Sequence, residues 1–220
     1  NVTVTALPPA DIDLKDLILT EGKLFVGTHK RGLLRFEDQS FSDVATKPKQ
    51  NFINRFARDS SGQIWIGTQT FTENSGLYHA KTLTEWEKID AAVGTVTSLS
   101  FDTYGNLWVG TKDRGAFLFK DGVQKDRFTF ENTAGGLRSN EILSTFVDRE
   151  NVVWFGTTKG VCRFDQTSPN NEKLSDDVQS NFVRTLHSSN DGELFAGTNR
   201  GLFSKQTDGT WKPIPGAENG

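Results

Sequence analysis

The chain has 220 residues, a formal net charge of −3, 17 Phe, 5 Trp, 21 Gly and one cysteine. This length fits one all-β domain, and the many aromatic residues and glycines favour strands joined by turns. The absence of a basic stripe argues against nucleic-acid binding, no apolar run approaches the roughly 20 residues that span a bilayer, and a lone cysteine excludes an intrachain disulfide.

A seven-residue pattern occurs five times along the chain. It consists of Gly, any residue, an aliphatic residue, Trp or Phe, any residue, Gly and Thr. The copies are residues 22–28, 62–68, 105–111, 151–157 and 192–198, with Asn151 in place of the first glycine in the fourth copy. An apolar segment precedes each copy, a glycine-led apolar segment follows it, and a weaker fourth segment ends the unit. Four short antiparallel strands in roughly 40 to 50 residues predict one propeller blade.

The repeats therefore predict an all-β fold, a β-propeller of five four-stranded antiparallel blades within a single domain, residues 1–220. In chain order the predicted blades are residues 14–45, 51–90, 94–131, 140–177 and 181–214. Residues 1–8 include a further strand, Val2 to Leu7. We expect it to join the last blade, so that the N- and C-terminal strands meet and close the ring. The alternative is that it is the tail of a preceding blade.

The repeated residues have structural roles by this interpretation. Trp65 and its equivalents are expected in the core between blades, although an aromatic row can also form a sugar-stacking platform. The glycine of each Gly-Thr pair is expected to permit a close backbone approach or a bulge, and the threonine to secure the following turn. Asp59 and Asp102 are expected to cap tight turns, and Cys162 to be a buried thiol.

The pattern Asp-x-x-Gly-x-(Ile/Leu)-Trp-(Ile/Val)-Gly-Thr followed by Gly-Leu resembles the two-component regulator propeller repeat. The resemblance covers all five units, from about Leu14 to Ile214, and is most specific in the second and third. It implies an extracytoplasmic sensor domain, periplasmic or extracellular. Unit one lacks the turn aspartate and unit five has Ser189 there.

Non-repeated residues are where ligand binding is expected, because loops vary while the scaffold repeats. Polar and cationic residues near the starts of the first strands are expected at the mouth of a central channel, where they suit a carbohydrate, peptide or carboxylate, or simply solvate the channel. They are Asn54, Arg55, Ser98, Asn140, Ser144, Asn181 and Arg184. Phe71, an aromatic residue on the polar loop 70–75, is a further candidate contact. Residues 128–138 and 165–177 form two other insertions.

Signals for catalysis are lacking in the sequence. The three histidines form no zinc-ligand pattern, no Gly-x-Ser-x-Gly elbow occurs, and no pair of acids is singled out. We therefore predict no catalytic residue, metal or cofactor. The favoured function is a sensory or ligand-recognition propeller whose partner is a small molecule, glycan or peptide. The alternatives are a lectin-like or protein-interaction scaffold and a propeller hydrolase or lyase.

Overall fold

The computed structural model describes residues 12–69, 76–89, 93–165 and 168–216. Within these ranges twenty strands form five four-stranded antiparallel sheets, as the repeats predict. The chain divides into two compact units, Asn1–Val96 and Thr97–Gly220. The segment Val2 to Leu7 lies outside the described residues, so the single-domain organisation and the closing of a ring stay predictions.

Two sheets lie in the first unit. The strands of the first sheet are β1 (Asp13–Thr20), β2 (Lys23–His29), β3 (Leu33–Glu37) and β4 (Ser40–Val44). The strands of the second sheet are β5 (Ile53–Arg58), β6 (Ile64–Thr68), β7 (Leu77–Ala80) and β8 (Trp86–Lys88). Neighbours in the chain are neighbours in each sheet, so every connection within a sheet is a hairpin.

The other three sheets, apart from Val96, lie in the second unit. The strands of the third sheet are β9 (Val96–Phe101), β10 (Asn106–Thr111), β11 (Ala116–Lys120) and β12 (Val123–Phe128). Those of the fourth are β13 (Ile142–Val147), β14 (Val153–Thr157), β15 (Gly160–Asp165) and β16 (Ser168–Glu172). Those of the fifth are β17 (Val183–Ser188), β18 (Leu194–Thr198), β19 (Gly201–Lys205) and β20 (Trp211–Pro213). Strand β16 thus occupies part of the segment 165–177 that the sequence analysis treats as an insertion.

Apolar clusters lie between consecutive sheets within each unit. Phe25 and Leu33 of the first sheet pack with Ile66 and Tyr78 of the second. In the second unit one cluster joins the third and fourth sheets, and another joins the fourth and fifth. Trp108 and Trp154 belong to these clusters, and Trp65 is also buried, so the core interpretation of the three tryptophans is confirmed.

The single cysteine lies in the cluster between the third and fourth sheets. Cys162 is buried beside Trp108 and Phe155, and its Sγ accepts the Arg138 N–H at 3.3 Å. Burial raises the pKa of the thiol to about 11. The prediction of a buried thiol is therefore confirmed.

The glycine of the Gly-Thr pair in each of the first four repeats lies against the next sheet. A Cβ atom built on Gly27 would stand 2.6 Å from Ile53 Cγ2, and one on Gly67 would stand 2.3 Å from Val96 Cγ1. In the second unit, Gly110 meets Ile142 Cγ2 at 2.6 Å in the same way. Real Cβ atoms do not approach so closely, so these positions exclude a side chain. The predicted close approach is confirmed, and its partner is the first strand of the following repeat.

The aspartate of the turn before Trp65, Trp108 and Trp154 binds both the turn and the indole. Asp102 Oδ1 accepts the N–H groups of Tyr104 and Asn106 at 3.0 and 2.8 Å, and Oδ2 accepts Trp108 Nε1 at 3.1 Å. Asp148 and Trp154 repeat this arrangement with an indole bond of 2.7 Å.

The same geometry occurs in the second repeat, between Asp59 and Trp65. Desolvation raises the pKa of Asp59, but hydrogen bonds from Ser61, Gln63 and Trp65 outweigh it and leave the pKa below its usual value. The two repeats that lack this aspartate carry Phe25 and Phe195, which have no N–H to satisfy. Aspartate at the turn and tryptophan in the strand therefore form one structural pair.

We expect the Asp102–Trp108 pair to be energetically coupled. Asp102→Ser alone should lower the free energy of unfolding by about 1.5–3 kcal/mol, because it leaves a buried indole N–H without its charged acceptor. The same change in a Trp108→Phe background should cost clearly less. Urea denaturation of the wild type, both single variants and the double variant measures the coupling. Equal losses in the two backgrounds would show that the carboxylate serves the turn alone.

Candidate functional site

The turn after each Gly-Thr pair is held by the threonine side chain. Thr111 Oγ1 donates to Gly115 O at 2.7 Å and accepts the Arg114 N–H at 3.0 Å. Each threonine donates in this way to the glycine carbonyl that precedes or begins the third strand, which confirms the predicted role. The others are Thr28, Thr68, Thr157 and Thr198. At one edge of each sheet this turn lies beside the connector that joins the sheet to its neighbour. We call this edge the loop edge of the sheet.

The predicted site residues of the first unit, Asn54 and Arg55, donate hydrogen bonds to backbone carbonyl groups. The register of β5 against β6 shifts between Ile53 and Arg55, and Asn54 lies at this irregularity. Asn54 Nδ2 donates to Val96 O at 2.9 Å. Arg55 Nη1 donates to the carbonyls of Lys15 and Asn54. Both side chains therefore have partners within the sheets.

The two predicted serines pack on glycines of their own sheets. Ser98 Oγ lies 2.7 Å from Thr145 Oγ1, which links the third sheet to the fourth. Ser144 Oγ is buried and has no hydrogen-bond partner within the described part of the chain. Cβ atoms built on Gly110 and Gly156 would come within 2.2 and 2.3 Å of these two hydroxyl oxygens. The serines thus fill space that the glycines leave.

Asn140 organises the connector between the third and fourth sheets. Its Oδ1 accepts the Phe130 N–H at 2.7 Å, and its Nδ2 donates to the carboxylate of Glu131. Its own carbonyl accepts the Gly115 N–H at 2.9 Å. The side chain and the backbone of Asn140 therefore fix the connector to the loop edge of the third sheet.

Asn181 has the equivalent place before the fifth sheet and is 5% exposed. Its Oδ1 accepts the Leu174 N–H at 2.8 Å, and its Nδ2 donates to the carbonyls of Ser175 and Asp177. Both N–H donors of the amide and its oxygen therefore bind the connector. Asn181 shapes the loop edge and presents little surface to a ligand.

Arg184 is exposed at the same loop edge. Its Nε donates to Asn199 Oδ1 at 2.6 Å, and its guanidinium lies 4.9 Å from the centre of the Phe182 ring. Asn199 in turn donates to Gln179 Oε1. The structure thus brings Asn181 and Arg184 to one loop edge, whereas the predicted candidate Phe71 lies outside the described residues.

A cleft of about 630 Å³ lies at the loop edge of the fifth sheet. Its apolar lining residues, which we call the floor, are Leu174, Leu202, Phe203, Pro213 and Ile214. Its polar lining residues, which we call the rim, are Ser175, Asp177, Ser180 and Arg200. An apolar floor with a few convergent polar groups is the usual form of a small-molecule site.

The charges of the rim are fixed by local hydrogen bonds. Asp177 Oδ2 accepts the side-chain hydroxyl and the backbone N–H of Ser180, at 2.8 and 2.7 Å. These bonds lower the pKa of Asp177, and the charge of Arg200 lowers it further. At neutral pH the rim therefore presents one carboxylate and one guanidinium beside two hydroxyls.

A recurring cation precedes the glycine of the turn after each Gly-Thr pair, except in the second repeat. These cations are Arg31, Arg114, Lys159 and Arg200. The sequence analysis missed this feature, although the periodic position of a Lys or Arg directly before glycine was visible in the sequence. In the fifth repeat the feature places Arg200 on the rim of the cleft.

A second cleft, of about 780 Å³, lies by the turns Asp148–Glu150 and Asp191–Glu193 of the fourth and fifth sheets. Its floor is Trp154, whose ring has Lys205 Nζ 4.2 Å from its centre. Lys205 forms an ion pair with Glu172, which also accepts the Trp211 indole N–H. These groups are engaged with one another, which favours a structural role for this network.

Two further observations bear on function. No group of three or more His, Cys, Asp or Glu side chains that could hold a metal ion occurs in residues 12–69, 76–89, 93–165 and 168–216. Nor does the part of the chain described here contain a helix long and apolar enough to cross a membrane.

Comparison with solved structures defines the class of protein. The chain is similar to the extracellular domain of BT3049 from B. thetaiotaomicron, described as a hybrid two component system, with a TM-score of 0.76 and 17% identity over 92% of this chain and 28% of that one. A second similarity is to the extracellular domain of BT4673, described as a one component system from the same organism: TM-score 0.72, 19% identity, 98% and 32% coverage.

Virginiamycin B lyase from Staphylococcus aureus is also similar, with a TM-score of 0.69 and 13% identity over 92% of this chain and 70% of the lyase. At these identities the likeness shows the fold, and the five sheets belong to the β-propeller class. The chain spans less than a third of the two extracellular domains.

The sequence specifies the class further. Residues 47–70, 92–113 and 136–159 match the model of the two component regulator propeller family. These three segments match the two-component regulator propeller repeat, and the resemblance stated from the sequence is confirmed. A comparison with curated proteins found no match.

The contacts of Asn181 and Arg184 predict effects of different size on stability when each residue is substituted. Asn181→Ala should lower the free energy of unfolding by about 2–3 kcal/mol, because it leaves buried backbone groups unpaired. Arg184→Ala, at an exposed position, should change it by less than about 0.5 kcal/mol. Thermal and urea unfolding measure both. A stable Asn181→Ala protein would show that the connector does not depend on this amide.

Proposed function

We propose that this chain is a non-catalytic ligand-recognition domain of a sensory type that works outside the cytoplasm. The propeller repeats and the likeness to extracellular domains of signalling proteins support the class. The loop-edge cleft of the fifth sheet supports the proposed binding site, because it combines an apolar floor with the charged and hydroxyl groups of its rim.

The rim defines the chemical class of ligand. The guanidinium of Arg200 can bind a carboxylate, and the ionised Asp177 can accept hydrogen bonds from ligand hydroxyl or ammonium groups. The floor beside Phe203 and Pro213 can cover the apolar face of a sugar ring or a small side chain. We therefore expect a uronic-acid-containing glycan or a short peptide with a free carboxylate.

The protonation states favour binding over catalysis. A general acid at neutral pH needs a raised carboxyl pKa, whereas hydrogen bonds from Ser180 lower that of Asp177. Cys162, with a pKa of about 11, stays protonated and buried in the core. The lyase similarity has 13% identity and shows the fold alone.

Binding can be tested with arrays of uronic-acid-containing oligosaccharides and of short peptides with free C-termini, followed by calorimetric titration of the hits. Arg200→Ala should weaken binding of a hit at least tenfold, about 1.4 kcal/mol. Arg149→Ala provides a matched control, because it removes an arginine from the other cleft of the same unit.

Three results would contradict the proposal. A lack of binding to either array would contradict the proposed ligand class. An equal effect of Arg149→Ala and Arg200→Ala would contradict the proposed binding site. Turnover of a glycan or ester substrate that a single acidic substitution abolishes would show an enzyme instead.

A further inference from the structure

One face of the first strand in the chain is exposed and apolar. In β1, Leu14, Leu17 and Leu19 are 37%, 57% and 66% exposed. We call these three side chains the leucine face. Exposed apolar side chains on one strand make this surface a candidate interaction site.

The equivalent residues of later repeats show what such a face packs against. The register places Leu14 opposite Thr28, as Ile53 lies opposite Thr68 and Val183 opposite Thr198. Ile53 and Val183 are fully buried, and each lies on the glycine of the preceding repeat's Gly-Thr pair, Gly27 and Gly156. Phe56, the equivalent of Leu17, approaches Gly27 as well. By equivalence, Leu14 and Leu17 of the leucine face are placed to pack on the glycine of a Gly-Thr pair.

The fifth sheet presents a face of the complementary form. The aromatic residue, the Gly-Thr glycine and the first aliphatic residue of the third strand are all buried in the first four repeats. In the fifth repeat the same positions, Phe195, Gly197 and Leu202, are partly exposed. Among the described residues, only Thr185 Cγ2 of the same sheet lies within 4 Å of a Cβ built on Gly197. We call Phe195, Gly197 and Leu202 the glycine face.

We propose that the leucine face of one copy of this chain packs on the glycine face of a second copy. The contact repeats, between chains, the one that Ile53 makes with Gly27 and Val183 makes with Gly156 inside the chain. Each copy of the chain carries both faces, so a second copy can supply the complementary surface. Because the two faces differ, the interface is head-to-tail.

The proposal goes beyond ligand binding and uses a different surface. Leu202 is shared, since it also borders the loop-edge cleft, whereas Phe195, Gly197 and the leucine face take no part in that cleft. Substitutions at Leu17, Leu19 and Phe195 therefore test assembly without altering the cleft.

The experiment measures molar mass against concentration by analytical ultracentrifugation. The wild type should exceed the mass of one chain as concentration rises, and so should the control Val123→Lys, which places a charge on an exposed valine of β12. The double variant Leu17→Lys/Leu19→Lys lacks the leucine face, and Phe195→Lys lacks the glycine face, so each alone should keep the mass of one chain. Mixed one to one, the two variants should form a two-chain species and nothing larger, because each retains one competent face.

Several results would overturn the proposal. The wild type could keep the mass of one chain at all concentrations, or the mixed variants could fail to associate. A third is that the Leu17→Lys/Leu19→Lys variant keeps a one-chain mass identical to the wild type and melts at a much lower temperature. In that case the leucine face is covered by its own chain.

Discussion

The fold depends on a steric constraint at the end of the second strand in each of the first four repeats. The glycine of the Gly-Thr pair must have no side chain, because an aliphatic residue of the next sheet occupies the space that a Cβ would need. Ile53 does so at Gly27, Val96 at Gly67 and Ile142 at Gly110. Each sheet can therefore lie close enough to its neighbour to bury apolar side chains on both of its faces, as the fully buried strands β6 and β14 require. Close packing of this kind is where burial and dispersion contribute most.

A second dependence links the turn to the core. An indole placed between sheets brings an N–H group that needs an acceptor, and the turn aspartate supplies one while it also binds two backbone N–H groups of the turn. The repeats with phenylalanine have no such demand and tolerate Ser189, or no equivalent residue, at the turn. One carboxylate thus couples the geometry of a surface hairpin to the position of a buried ring, which accounts for the joint occurrence of Asp and Trp in three repeats.

The sequence was enough to predict the five four-stranded sheets, because periodic Gly-Thr pairs and apolar segments report the backbone geometry and the core directly. The site residues that the sequence predicts stay predictions. Asn140 and Asn181 looked like ligand-binding residues, yet their amides bind their own connectors, and sequence alone does not show whether a polar side chain meets a ligand or a nearby backbone group. Ser98 and Ser144 were also predicted at the channel mouth, and their side chains pack on glycines of their own sheets. The loop-edge cleft depends on Leu174, Phe203 and Pro213, which come from separate elements and share no local pattern.

The steric role of the glycine can be measured most directly at Gly27 and Ile53. If the position were open, Gly27→Ala would stabilise the protein by about 0.4–1 kcal/mol through the unfolded state. The contact instead predicts a loss of about 1–3 kcal/mol from overpacking. Ile53→Ala alone should cost about 2–5 kcal/mol by leaving a cavity. The double variant should lose about 1–3 kcal/mol less than the sum, because the new methyl group enters the space that the Ile53 side chain vacates. A neutral or stabilising Gly27→Ala, or strictly additive losses in urea denaturation, would contradict the steric role of Gly27.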